Sequence, residues 1–322
     1  MKRYLVAAQI VFLFFATGCT KTSQTSDLFP PPGRMVDVGG YKMHIQITGS
    51  GSPAVVMLSG SADFSPTWVL VVPEIAKTHR VCTYDRAGLG WSEASPNPRL
   101  MSFEAAELHT LLQNAGISPP YVLVGHSAGG VLARLFAHTY PDEISGIVLV
   151  DPGPEEQKTR QDADVQASMD EAVAPALARL QSFYEKAAIG AMTLADVSCM
   201  IDAAIPEKER MEYEYIYMTK PVHWQTVISE TESLDASFAG VKDDHITSVG
   251  NIPLVVISSS ATMELAATPE LSIRADKVLR GLQWEIVGES PQGVHVTAEG
   301  TTHFIQHVKP QAVIDAIKQV LE

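Results

Sequence analysis

Tyr121-Val122-Leu123-Val124-Gly125-His126-Ser127-Ala128-Gly129-Gly130 is the stretch that decides how this chain folds. Its first four residues are a continuous apolar run, the pattern of a strand buried on both faces, and the residues from Val131 to His138 carry helical spacing. Gly125 to Gly129 is therefore a strand-to-helix turn bearing the pattern G-x-S-x-G. A serine at so sharp a turn takes a strained backbone conformation. Side chains two residues to either side would collide as strand and helix close up, which accounts for Gly125 and Gly129. The Ser127 hydroxyl is thereby lifted above the sheet edge, beside a helix amino terminus where the free N–H of Ala128 can meet developing negative charge.

Similar apolar runs recur on both sides of this turn: Ala54 to Leu58, Val81 to Tyr84, Ile147 to Val150 and Leu254 to Ile257, alternating with helical stretches such as Phe103 to Ala115. Strands without polar alternation, separated by helices, predict an α/β fold with a mostly parallel central sheet covered on both faces. Ahead of them, Val36 to Ile47 holds two short alternating runs about Gly39-Gly40, a hairpin. One interval breaks the rhythm. From Pro152 to about Ser248 the chain offers no strand, only Ala-, Met- and Tyr-rich helical sequence broken at Gly190, Pro206 and Pro221. This predicts a helical cap inserted after the sixth strand, over the carboxyl edge where open α/β sheets bind ligands.

Composition agrees with a large globular core: 46% of the 322 residues are hydrophobic and 19% charged, which excludes intrinsic disorder. The net charge of −14 repels phosphate backbones and acidic lipid surfaces, and no basic cluster with interleaved aromatics offers a nucleic-acid site. Three cysteines build no disulfide framework. Residues 1–18, MKRYLVAAQIVFLFFATG, show the basic, apolar and small-residue order of a secretory signal, and the run is short for a transmembrane helix. Ala16-Thr17-Gly18-Cys19 resembles the bacterial lipoprotein box, with Ala16 where that box usually has Leu. The resemblance implies acylation of Cys19 and a lipid-anchored envelope protein; plain export to the periplasm or medium is the other reading. Residues 19–33, polar and then Pro-rich, read as a tether. The core is expected over 34–151 and 249–322 and the cap over 152–248. Cys82 and Cys199 are expected as two buried free thiols.

The turn, together with Val36-Asp37-Val38-Gly39-Gly40, Thr48-Gly49-Ser50-Gly51-Ser52-Pro53, Tyr84-Asp85-Arg86-Ala87-Gly88-Leu89-Gly90-Trp91-Ser92 and Ile147 to Pro152, resembles the α/β-hydrolase superfamily, in particular its bacterial cap-bearing group with a YDRAG turn. The likeness covers the core and leaves the cap unmatched. It implies the order nucleophile, acid, histidine, with Ser127 as nucleophile and His303, in Gly300-Thr301-Thr302-His303-Phe304, as base. His295 and His307 are alternatives. The commonest acid position, after Leu254 to Ile257, offers Ser258-Ser259-Ser260 and then Glu264. The strand after the nucleophile helix instead ends in Asp151, an acid position that some members of the superfamily use, so the resemblance makes Asp151 the expected acid and Glu264 the alternative, with capping of the first cap helix as the plainer role for Asp151. In the loop Leu58-Ser59-Gly60-Ser61, Ser61 occupies the second oxyanion-donor position beside Ala128. Asp85 and Arg86 read as an ion pair that orders its turn.

In the cap, Tyr213 and Tyr217 share one helical face, with Met211, Tyr215 and Met218 on another. Tyr213, Tyr217, Phe64, Trp68 and Trp224 are candidates for lining a substrate pocket, against the plainer reading that they are core. The resemblance implies a serine hydrolase acting on a small-molecule ester through an acyl-enzyme, needing neither metal nor cofactor. Amide, lactone or thioester cleavage would use the same residues. A nucleophilic serine argues against epoxide-hydrolase and dehalogenase chemistry, whose ester intermediate needs a carboxylate. A binding protein that has lost turnover is the reading from another class; the complete set of Ser127, His303 and elbow glycines argues against it.

Overall fold

The computed structural model describes residues 29–244, 246–261 and 267–322. The expected signal segment, Cys19, His245 and Glu264 lie outside the described residues. Eight strands form one sheet: β1 (Arg34–Asp37), β2 (Lys42–Thr48), β3 (Ala54–Leu58), β4 (Val81–Tyr84), β5 (Tyr121–His126), β6 (Ile144–Val150), β7 (Leu254–Ser259) and β8 (Gly293–Ala298), in the order β1-β2-β4-β3-β5-β6-β7-β8. The expected hairpin is β1 and β2, antiparallel, with Val36 opposite Met43. β2 also pairs antiparallel with β4, and every later pairing is parallel. This is the α/β-hydrolase fold.

The helices in chain order are α1 (Val72–Ile75), α2 (Met101–Asn114), α3 (Ala128–Thr139), α4 (Ala163–Ala188), α5 (Leu194–Val197), α6 (Glu207–Thr219), α7 (Pro221–Asp243), α8 (Pro269–Val287), α9 (Ile305–Val308) and α10 (Pro310–Leu321). Successive strand residues point to opposite faces, and this alternation makes two cores. Val56, Leu58, Leu123, Ile147, Leu149 and Val256 pack with Leu108 and Leu111 of α2 and Leu132 and Phe136 of α3. Their neighbours Val55, Met57, Val122, Val124, Val148 and Ile257 pack with Val313, Ile314 and Ile317 of α10. In α10 the apolar residues recur at the one-, four- and seven-residue steps of a single helical stripe, so the helix buries that stripe and leaves Gln311, Lys318 and Gln319 outward.

Between β6 and β7 the described residues hold helices and turns only, α4 to α7, which have a core of their own: Phe183, Val197, Tyr213, Ile216, Tyr217 and Trp224, closed against the β3 side by Phe64. The breakers fall where expected. Gly190 follows α4 with φ +68°, Pro206 precedes α6, and Pro221 is the first residue of α7. Cys82 is buried and free, whereas Cys199 is exposed, contrary to expectation; helical sequence placed it correctly on a helical segment but not on which side of it.

Candidate active site

The turn after β5 has the geometry its residues dictate. Ser127 sits at φ +53°, ψ −123°, outside the regions open to ordinary side chains, and is held there by its N–H to Val150 O at 3.1 Å and by Gly130 N–H to its own carbonyl at 2.9 Å. A Cβ on Gly125 would stand 2.3 Å from Gly129 O, and one on Gly129 2.4 Å from Leu58 O, so both positions admit glycine alone. Ala128 is the first residue of α3, and its N–H therefore has no intrahelical acceptor. The loop after β3 runs so close that a Cβ on Gly60 would be 3.2 Å from Ser127 Cβ.

At the end of β6 stands Asp151, 1% exposed, with an uncommon positive φ of +43°. Its carboxylate accepts five hydrogen bonds. His303 Nδ1 donates to Oδ2 at 2.9 Å and Ser259 Oγ to the same oxygen at 3.0 Å; Oδ1 receives Ser259 N–H at 3.1 Å, Arg280 Nη1 at 2.9 Å and Gln283 Nε2 at 3.2 Å. Burial opposes this charge, but the His303 hydrogen bond and charge, Arg280 and the Ser259 N–H outweigh it and hold the carboxyl down at about 2. Asp151 does not cap the first inserted helix; Asp162 occupies that position. Ser259 stands at the end of β7, where the commoner acid would sit, and serves Asp151 as a donor.

Ser127, His303, Asp151, Ala128 and Ser61 line one cavity of about 180 Å³, walled by Leu234 and Phe238 of α7 and by Leu279 of α8. His126, in the turn itself, is buried and touches His303 through the backbone, its Nε2 donating to His303 O at 3.0 Å. Burial and the neighbouring His303 depress its basicity strongly, and its buried Nδ1 has no partner among the described residues. His295 lies on β8, hydrogen-bonded to Ser258 Oγ and stacked on Trp284; His307 lies on α9 beside Thr67 and Asp202. Neither reaches Asp151 in the way His303 does.

Arg86 does more than order its own turn. It is buried with its guanidinium across the β3 loop: Nη1 donates to Ser59 O at 2.6 Å, Nη2 to Gly60 O at 2.9 Å, and Nε to Glu230 Oε1 of α7 at 2.9 Å. Glu230 Oε2 in turn accepts Ala62 N–H at 3.3 Å. Asp85 is separately engaged, taking His44 Nδ1 and the N–H groups of Ser65 and Trp91. The two adjacent residues are thus not paired with each other; one pins the β4 turn and the other the loop beside Ser127.

Of the proposed pocket residues, Tyr213, Tyr217 and Trp224 line a second cavity of about 220 Å³ on the other side of Ser61. Phe64 and Trp68 do not reach it. Phe64 is fully buried behind Tyr213 and Tyr217, with ring centroids 4.5 and 6.2 Å away, and Trp68 is packed with Val71 and Ile75 into the sheet core. Large apolar side chains flanking the Ser61 loop give no sequence signal that separates wall from core. Arg280, Gln283 and Ser259 carried no signal either: their link to residue 151 exists only once α8 packs on β7.

Residues 53–194 match the family model for the alpha/beta hydrolase fold. Among curated proteins, the uncharacterized protein YbdG of Bacillus subtilis is 35% identical over 127 residues, 39% of this chain and 39% of its own length. The match thus spans well under half of that relative. The uncharacterized protein YqjL of the same organism is 26% identical over 284 residues, 88% of this chain and 89% of its own. Among solved structures, a thermophilic esterase from Thermogutta terrifontis superposes with a TM-score of 0.60 at 19% identity, over 89% of this chain and 97% of that one. Est816, described as an N-acyl homoserine lactone degrading enzyme, superposes at 0.61 and 17% identity, over 89% and 99%. At these identities the structures speak for the fold.

Proposed function

We propose that this chain, with its α/β-hydrolase fold and its match to that family model over residues 53–194, is a serine hydrolase of carboxylic esters working through Ser127, His303 and Asp151. The observation that carries the reading is the His303 Nδ1 to Asp151 Oδ2 hydrogen bond of 2.9 Å at the wall of the cavity that Ser127 enters from its strained turn. With Nδ1–H given to Asp151, the neutral imidazole keeps its other nitrogen as an acceptor beside the cavity that His303 and Ser127 both line. That nitrogen takes the Ser127 proton as Oγ attacks the substrate carbonyl, and the N–H groups of Ala128 and Ser61 receive the oxyanion. Proton return to the leaving alcohol frees it, and water, activated by the same imidazole, releases the acid.

Lactone, thioester and amide carbonyls would meet the same groups; an ester carbonyl is less stabilised by resonance than that of an amide, which favours esters over amides. A carboxylate nucleophile, which epoxide and haloalkane opening by an ester intermediate would need, is absent from position 127. Export and lipid anchoring through Cys19 complete the proposal; Cys19→Ala should move the protein from the membrane to the soluble envelope fraction.

The test is hydrolysis of a p-nitrophenyl ester series, short to long acyl, by the wild type and by Ser127→Ala. Loss of activity in the variant with unchanged folding supports a serine esterase. Equal rates in both would remove Ser127 from the mechanism, and silence of the wild type across the series would move the reading toward binding without turnover.

A further inference from the structure

The second cavity lies between α6, α7 and α9 on one side and the loop carrying Ser61 to Asp63 on the other. Ser61 is common to both cavities, and α7 runs along both: Trp224 and Val227 line the second, Leu234 and Phe238 the first. Seven residues of helix separate Val227 from Leu234, roughly 10 Å, a span that a medium-length alkyl or aryl group bridges. The cavities also adjoin at the proposed base, since His303 lines the first and Phe304, the next residue, lines the second. At about 220 Å³ the second exceeds the roughly 150 Å³ that accommodates a benzene ring.

What this cavity presents is mainly hydrocarbon. Its acidic side chains and its histidine, Asp63, Asp202 and His307, are already bound to the protein itself. His307 has Asp202 Oδ2 3.3 Å from Nδ1 and the Thr67 hydroxyl and carbonyl at 3.0 and 3.2 Å from Nε2. Asp63 is closed off: Oδ1 accepts Tyr213 Oη at 2.6 Å and Phe64 N–H at 2.8 Å, the Thr67 hydroxyl is a further partner of the carboxyl, and Oδ2 is buried. Trp224 spends its indole N–H on Tyr217 O at 2.7 Å. With these groups taken, the space is bounded chiefly by the rings of Tyr213, Tyr217, Trp224 and Phe304 and by aliphatic side chains such as Ile205 and Val227. An ammonium or carboxylate entering it would give up its hydration to a wall whose charges are already paired, whereas a hydrocarbon group has no hydration bonds to lose and leaves water for apolar contact.

We propose that the second cavity holds the uncharged hydrocarbon end of the substrate, an aryl group or a medium-length alkyl chain, with Val227 setting how much of it fits. Val227 stands one helical turn along α7 from Trp224, so a bulkier side chain there takes up the space beside the indole. An acyl chain and an alkyl alcohol share this chemistry, and the experiment separates them. The proposal deepens the reading of the first cavity as the site of ester cleavage and rests on it for the word substrate, but not for the binding itself.

The experiment is therefore first a binding one, on the full chain: calorimetric titration with ethylbenzene and with benzylamine, which carries an ammonium in place of the methyl, in the wild type and in Val227→Trp. The expected result is one equivalent of ethylbenzene bound by the wild type at least tenfold more tightly than benzylamine, and loss of that binding in the variant. Absence of ethylbenzene binding, or equal affinity for the two probes, overturns the proposal whether or not Val227→Trp folds; binding that survives in a folded Val227→Trp overturns the role of Val227. Kinetics with p-nitrophenyl octanoate against acetate, and with octyl acetate against ethyl acetate, then link the cavity to turnover. Each methylene taken out of water favours the bound state about fourfold, so burying about two of the six that either long ester adds gives a tenfold rise in kcat/KM. That rise is expected in one of the two series, which identifies the end held, and should shrink toward one in Val227→Trp. Ser127-dependent cleavage with no length preference and no ethylbenzene binding would sink the cavity and leave the esterase. Selective ethylbenzene binding with no ester cleaved would do the reverse.

Discussion

Arg280 Nη1 donates to Oδ1 of Asp151 at 2.9 Å while His303 Nδ1 holds Oδ2 at the same distance, so one buried carboxylate is shared between an arginine and the proposed base. The cation draws negative charge away from the imidazole side. Arg280 also donates to Ser259 Oγ and pairs with Asp276, which leaves its charge partly balanced within α8. Substituting Arg280→Gln removes the donors to Asp151 Oδ1 and Ser259 Oγ and so loosens the shell that holds the carboxylate against His303. In the proposed mechanism kcat should fall about tenfold with KM changing less, as expected for geometry displaced near the reacting atoms. An unaltered kcat would reduce Arg280 to a packing role.

Asp151→Asn separates orientation from stability. In the proposed mechanism it loses the group that selects the imidazole tautomer, and kcat should fall by about 10⁴, the size of that effect in the serine-protease template. Stability gives an independent reading. Asp151 titrates at about 2 in the folded chain against an ordinary 3.8, so the native state binds the proton less readily than the unfolded one. Its stabilisation is present at neutral pH and fades as pH falls from about 5 toward 2, on the order of 2 kcal/mol in all. Urea unfolding of the wild type at pH 6 and pH 3 should show about half of that loss, on the order of 1 kcal/mol, and the variant should lack this part of the slope. Parallel pH slopes in both proteins would contradict the assignment.

Much of the fold was legible because its central strands are unalternating apolar runs: β3, β5, β6 and β7 are buried on both faces, and such runs have few other homes. The turn at Ser127 was legible for a different reason, since only a crowded strand-to-helix crossing needs glycine at both 125 and 129. The partner of His303 was legible only in part. Asp151 stood ahead of Glu264 in the sequence through its place at the end of β6, and what adds to that is its contact with His303, 152 positions away, together with donors from β7 and α8. Wall and core are likewise indistinguishable in a sequence of aromatic residues: Tyr213 lines a cavity and Phe64, 4.5 Å behind it, does not. Side-chain spacing reports which face of an element is apolar, but not what that face meets.

The Arg86 to Glu230 pair joins α7 to the loop that carries the proposed oxyanion donor, through Ser59 O, Gly60 O and Ala62 N–H. Glu230→Gln keeps the volume and removes the charge, leaving Arg86 enclosed with Glu104, 3.7 Å away, as its remaining carboxylate. Unpairing a buried charge costs about 3–5 kcal/mol, reduced here by that second partner. Thermal unfolding should fall accordingly. Because the loop loses a tether rather than a donor, kcat should drop roughly tenfold with KM changing less, as expected for geometry displaced near the reacting atoms. A destabilised variant with unaltered kcat would show that the loop keeps its shape without α7.

Ser127 at φ +53°, ψ −123° holds a strained conformation that the proposed chemistry uses to present its hydroxyl. Two inactive variants measure it. Ser127→Ala removes the hydroxyl and retains the β-carbon, hence the strain; Ser127→Gly removes both. Relief of such a conformation is worth about 1–3 kcal/mol, and the greater freedom of glycine in the unfolded chain returns about 0.5–1 kcal/mol of that. The expected order in urea unfolding is therefore Ser127→Gly above Ser127→Ala by about 1 kcal/mol, although glycine substitutions ordinarily destabilise. The reverse order would mean that the turn is relaxed, and that exposure of the Ser127 hydroxyl above the sheet costs the protein nothing.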